Sequence, residues 1–185
     1  MGLVRLTQNN IDKIQIDEGI VVTNYGEDNE TILGPTRGGA EFVATPSIRD
    51  IEFDGRKGKT KGLQLKDGED VSLKIITLCC SQENLALAIP NSTMSSEDGK
   101  KIEQGDFGVI KASSYLKNVA VITQMLDGTY KILIVKNPMH EGAFTFKTAP
   151  KSENEHNLEL LGHYDPMNDE KIWSVEDSAT NPIAN

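Results

Sequence analysis

Few side chains in this sequence could do chemistry. Three histidines occur, His140, His156 and His163. None stands at a metal-ligand spacing from a Cys, Asp or Glu motif. The separation of His156 from His163 is too long for simple periodicity to place them side by side. They are expected to be exposed imidazoles with no ligand role. The two cysteines are neighbours, Cys79-Cys80, at the end of an expected strand. Adjacent strand residues point to opposite faces and a vicinal disulfide needs unusual backbone geometry, so two buried, reduced thiols are expected, in keeping with a cytosolic folding compartment. No Cys-His pairing has a plausible neighbourhood, and neither Gly-x-Ser-x-Gly nor His-Glu-x-x-His occurs. The carboxylate pairs Asp17-Glu18 and Asp169-Glu170 would diverge on a strand and read as solvated charge. Gly34-Pro35-Thr36-Arg37-Gly38-Gly39 is the one candidate phosphate cradle. It lacks the Lys-Ser/Thr ending of a P-loop and no helix pattern follows, so Pro35, Arg37, Gly38 and Gly39 are expected in a turn where two backbones approach closely. No catalytic residue, metal or cofactor is expected, and the chain is not expected to be an enzyme.

Composition bounds the class. The chain has 185 residues and a net charge of -9, with a pI near 4.8. This length suits a single domain spanning residues 1–185. Aromatics make up 5% and there are 16 glycines. With strand-like patterns along most of the chain, the expected class is mostly β, an antiparallel sandwich or barrel-like fold with one short helix. An acidic chain is a poor nucleic-acid gripper, because phosphate binding needs clustered Lys and Arg. Its repulsion of DNA would suit a conduit. The opening residues lack the apolar stretch of a signal peptide, and no long apolar run could span a membrane. Gly2 resembles a myristoylation start, but Thr7 falls one place beyond the usual hydroxyl position, and the match is discounted.

The stretch 48–78 organises the rest. Ile51 and Phe53 alternate with Asp50 and Glu52, and Val71, Leu73 and Ile75 alternate with Ser72 and Lys74, the period-two signature of strands. Between them lies an expected long loop, residues 54–70. It is far longer than an ordinary hairpin connection, and residues 54–66 carry five basic residues against one acidic. Such a loop buries no core of its own and holds no catalytic group, so it is expected to dock onto a partner.

Elsewhere, residues 1–14, with Leu3, Leu6, Ile11 and Ile14, read as an N-terminal arm. Strands are expected over 20–25 and 41–45, where Pro46 signals an edge or a break. Residues 81–90 read as the helix, capped by Ser81, stopped by Pro90, and packing Leu85, Ala88 and Ile89 on a sheet. A brief strand is expected at 109–112. Asp127-Gly128 between apolar runs predicts a type I′ hairpin joining 119–126 to 130–136. That turn would place Val121 and Met125 with Ile132 and Ile134, opposite Ile122, Leu126, Leu133 and Val135. A hairpin apolar on both faces belongs in a sandwich or at a subunit contact. Further strands are expected at 141–148, with Phe144 and Phe146 inward, at 157–163 and at 171–175, followed by a polar tail over 178–185. Acids dominate residues 17–30, with five acids and no base, and residues 151–177, with eight acids and two bases.

Four blocks in this order, IDEGIVVTNYG, ILGPTRGGAEF, IRDIEFDGRKGKTKG and SQENLALAIP, resemble the major tail tube proteins of long-tailed phages and prophages of Gram-positive bacteria. The resemblance covers residues 16–90 and continues more loosely through the Asp127-Gly128 hairpin. It implies two packed antiparallel sheets with a flanking helix, homo-oligomeric hexameric rings, and rings stacked into a hollow tube. One sheet of each subunit would join a continuous barrel around the lumen. The tube encloses a tape-measure protein and then carries DNA during genome ejection, with tail terminator and distal tail proteins at its ends. The implied location is the virion, after synthesis in the host bacterial cytoplasm. The long loop would reach the next ring, so Arg56, Lys57, Lys59, Thr60 and Lys61 become candidate contacts, with acids in 17–30 or 151–177 as their counterparts. An acidic lumen would keep DNA from sticking.

A different class remains open at this point, a monomeric β-sandwich binding a carbohydrate or peptide through exposed aromatics. Tyr115, Tyr130 and Trp173 would be its candidates.

Overall fold

The computed structural model describes residues 7–55, 58–95, 99–148, 150–168 and 170–183. Leu3, Leu6, Arg56, Lys57 and Asp169 lie outside the described residues. In chain order the elements are α1 (Gln8–Asp12), β1 (Ile20–Thr23), β2 (Thr31–Ile32), β3 (Thr36–Asp50), β4 (Gln64–Thr77), α2 (Gln82–Leu87), β5 (Thr93–Met94), β6 (Ile102–Glu103), a 3-10 turn (Ala112–Ser114), β7 (Asn118–Gln124), β8 (Tyr130–Lys136), β9 (Met139–His140), β10 (His156–Leu161) and β11 (Trp173–Ser178). The fold is mostly β. A five-stranded sheet in the order β11-β8-β7-β1-β2 packs on a four-stranded sheet in the order β3-β4-β10-β9, and β5-β6 form a small separate ladder. Every pairing is antiparallel.

The period-two pattern of β4 does what it predicts. Val71, Leu73 and Ile75 are buried and meet Val21, Val119, Val121, Val135, Leu158 and Leu160 in the core between the sheets. Phe42 and Ala44 of β3 close one side of this core. β3 is an edge strand, which explains how it accommodates Pro46.

The Asp127-Gly128 hairpin forms, but in a different register from the expected one. Gln124 pairs with Tyr130, the Met125 N–H donates to the Thr129 carbonyl over 2.8 Å, and Gly128 alone in the turn has a positive φ, 82°. The loop therefore has three residues, with Gly128 in the left-handed position of a bulged turn rather than a two-residue type I′ turn. One extra loop residue exchanges the faces. Val119 and Val121 line the core with Leu133 and Val135, while Ala120 and Ile122 lie with Ile132 and Ile134 on the outer side. Both faces are apolar, as expected, and Ile183 from the C-terminal tail packs against the outer one.

Other expectations change. Residues 64–70 are strand rather than loop, and β3 runs far beyond residues 41–45. Residues 141–148 form no strand, and Phe144 and Phe146 are exposed rather than inward. No strand forms at 109–112, where Val109 is exposed. In α2, Ser81 caps as expected, accepting from the Asn84 N–H. The buried face is Asn84 and Ala88 with Leu87 against the core, while Leu85 and Ile89 are half-buried. Asn84 earns that position by donating Nδ2 to the Leu33 carbonyl at 2.7 Å. The described part of the N-terminal arm does not stand free. The Leu126 N–H donates to the Ile14 carbonyl and the Asp127 N–H to the Asp12 carbonyl, pinning the segment to the hairpin turn.

Candidate functional site

β3 and β4 leave the sandwich together as a two-stranded arm. The pairs from Thr45↔Asp70 to Asp50↔Gln64 have no third strand beside them among the described residues. Six paired residues extend about 20 Å, and the tip, described at residues 51–55 and 58–63, adds to this. Its alternation is invisible as strand patterning because both faces meet solvent. Cross-strand polar pairs hold it. Arg49 Nε donates to Asp67 over 2.8 Å and Gln64 Nε2 to Asp50 over 2.7 Å, while Lys66 Nζ reaches Glu69 along the same strand over 2.7 Å. A register shift between Ser47 and Ile48 twists the ribbon. The tip is tied by the Ile51 N–H to the Leu63 carbonyl and by the Leu63 N–H to the Thr60 carbonyl.

This arm exposes apolar surface. Ile48, Ile51, Phe53 and Leu65 keep 41 to 57% of their area open to solvent. A bare two-stranded ribbon is marginal in water, so an apolar one calls for a covering partner. Lys59 and Lys61 are exposed and take no ion-pair partner among the described residues, whereas Thr60 is half-buried. At the root of the arm, Trp173 Nε1 donates to Glu69 Oε2 over 2.9 Å. Bonds from Lys66 and Trp173 hold the Glu69 carboxyl below the usual range.

A second set of exposed apolar residues occurs in an acidic part of the sequence. Ile14, Ile16, Ile20 and Ile32 are exposed, in the part of the sequence that holds Asp17, Glu18, Glu27, Asp28 and Glu30. Its composition complements the arm, apolar against apolar and acidic against basic. Ile20 and Ile32 also border a shallow cleft with Gly34 and Pro35. Sequence reasoning missed this set, whose isoleucines alternate like core positions. Phe107, Val109 and Met167 are likewise exposed.

The GPTRGG segment is not a turn. Thr36 already opens β3, and Gly38 and Gly39 form an irregularity within it. The close approach expected there does occur, since a Cβ on Gly39 would lie 3.2 Å from the Glu18 carbonyl oxygen. Arg37 reaches Glu155 over 2.5 Å and Glu153 over 3.0 Å, an exposed clamp onto the acidic C-terminal region. Pro35 is exposed.

Two of the three histidines are buried, contrary to expectation. His140 accepts the Glu159 N–H at Nδ1 over 2.9 Å, and burial pushes its pKa down. His156 is buried beside Cys80, with Nε2 3.0 Å from Sγ. Cys80 is exposed and Cys79 half-buried, so neither is a sealed core thiol. His163 is half-buried between the Asn137 carbonyl and Glu141. The Cys80–His156 pair escaped sequence reasoning because only the β4–β10 ladder brings the two together.

The aromatic candidates for a sugar or peptide site are each half-buried. Trp173 packs on Phe42 with ring centres 5.4 Å apart, Tyr115 stacks edge-on against His163 at 5.1 Å, and Tyr130 leans on the outer-face cluster. Clefts of about 490 and 500 Å³ meet at Tyr164, with Trp173 lining one and Tyr115 the other. Among the described residues no group of three or more His, Cys, Asp or Glu is placed to hold a metal ion, and no helix is long and apolar enough to cross a membrane.

No model of a known protein family matches the chain, and no curated protein matches it either.

Proposed function

We propose that this chain is a structural subunit of a phage tail tube, a homo-oligomeric protein without catalytic activity whose copies stack as rings into a hollow conduit. The observation that carries the reading is the β3–β4 arm, which projects from the sandwich with Ile48, Ile51, Phe53 and Leu65 exposed. It stands where the resemblance expects the connector between rings. In this reading a neighbouring copy covers the arm, with Lys59 and Lys61 set against the acids around Ile14, Ile16, Ile20 and Ile32. Apolar burial supplies the energy and the rim charges supply register.

The two sheets suit different surroundings. The five-stranded sheet has an apolar outer face partly covered by Ile183. On the four-stranded sheet, Glu41, Lys74 and Glu159 align across three strands on the side away from the core. That is two acids against one base, so this is the sheet suited to line a lumen that DNA must traverse without sticking. The tape-measure protein and transiting DNA would occupy that lumen. Terminator and distal tail proteins would close the tube, and the subunit would reside in the virion.

Negative-stain electron microscopy of the purified protein over a concentration series, with light scattering alongside, tests the reading. Rings or hollow tubes are the expected result. A monomer at every concentration would overturn it and favour a monomeric binding module, to be followed by a glycan screen.

A further inference from the structure

Cys80 and His156 meet through strand register. His156, the first residue of β10, pairs with Thr77, the last residue of β4, so its imidazole lies beside the segment that carries Cys80. The ring is 4% exposed and is flanked by Phe146 with ring centres 5.8 Å apart. Sγ of the exposed Cys80 lies 3.0 Å from Nε2. The Asn154 amide nitrogen lies 3.3 Å from the same ring nitrogen, while Asn154 Oδ1 is buried without a partner. A half-turn of that amide, equivalent in shape, puts Oδ1 where it accepts from a protonated Nε2. The site can therefore hold a proton taken from the thiol. Among the described residues the Cys79 thiol has no histidine within hydrogen-bond distance. Its Sγ sits over Gly34, 3.5 Å from where a Cβ there would lie.

We propose that His156 takes the Cys80 proton and makes Cys80 the selectively reactive thiol of this chain, a site of mixed-disulfide formation with low-molecular-weight disulfides. The proton passes from Sγ to Nε2. The sulfur electron pair attacks one sulfur of R–S–S–R and the S–S bond breaks. The departing thiolate then recovers the proton from the imidazolium. The net change is Cys80–SH + RSSR → Cys80–SSR + RSH, with the small disulfide as oxidant. This does not depend on the assembly reading.

The test uses the full chain with Cys79→Ser, leaving Cys80 as the sole thiol, reacted with dithiobis-nitrobenzoate and with glutathione disulfide. At about pH 7, adding His156→Gln should slow both reactions at least about tenfold. At about pH 9.5 the two rates should converge, because solvent hydroxide then does the work of the base. The Cys80→Ser chain should react more slowly than the Cys79→Ser chain. Equal rates with and without His156 at neutral pH, or faster reaction through Cys79, would overturn the proposal. If His156→Gln unfolds, the folded Cys79→Ser chain is compared at neutral pH with the same chain in denaturant. The folded chain should react faster, and a slower reaction would overturn the proposal.

Discussion

Trp173 and Glu69 join the two sheets where the arm begins, through an indole N–H donated to the carboxylate over 2.9 Å. Trp173 opens β11 in the five-stranded sheet and Glu69 lies in β4. The bond steadies a strand that has just left the support of β10. Trp173→Phe keeps an aromatic ring beside Phe42 and removes the donor together with part of the indole's apolar surface. It should cost about 1 kcal/mol in denaturant unfolding and speed amide exchange over residues 64–70 more than elsewhere.

Asn91 organises the loop that carries Phe107 and Val109. It is buried at φ 58°. Its side chain donates to the Asp106 and Val109 carbonyls over 3.2 Å each and accepts from the Lys111 N–H over 2.8 Å. Gly105 lies so close that an added Cβ would stand 2.3 Å from the Asn91 carbonyl group. Gly105→Ala should destabilise the fold by about 1–3 kcal/mol, and Asn91→Ala should do similar damage by leaving the Lys111 N–H without its acceptor. Urea unfolding of each variant measures this.

Asp127 ties α1 to the β7–β8 turn. Bonds from Lys13 at 2.7 Å and from Thr129 lower its carboxyl from 3.8 to about 2. A depressed folded-state value means the stabilisation is present above the unfolded value and is lost as pH falls through the folded one. Asp127→Asn should therefore lower stability at neutral pH. The gap between parent and variant should close as pH drops from 3.8 to about 2. Thermal unfolding of both proteins across that range checks it.

The sandwich was legible where one face of a strand is dry. Val71, Leu73 and Ile75 announced β4, and Ser81 and Pro90 bracketed α2 within a few residues. Legibility failed where neither face is dry or where distant strands decide. Residues 64–70 carry no hydrophobic alternation, so a ladder held by Arg49–Asp67 and Gln64–Asp50 reads as loop. Phe144 and Phe146 alternate like core residues yet remain exposed, because alternation reports a face without saying what covers it. The Asp-Gly signal located the turn, but loop length set the register, so Val121 shares its face with Leu133 and Val135 rather than with Ile132 and Ile134. The meeting of Cys80 with His156 depends on the pairing of β4 with β10, which sequence spacing does not encode.

If the arm connects copies of this chain, removing its contact chemistry while keeping its backbone should stop stacking. In one protein, Ile51→Ser, Phe53→Ser, Lys59→Ser and Lys61→Ser are combined, and its assembly is compared with the parent by negative-stain electron microscopy. These side chains are exposed, so each change should shift monomer stability by less than about 0.5 kcal/mol. Stacked tubes are expected from the parent and isolated rings or subunits from the variant. Tubes of the same length and frequency from both would contradict it.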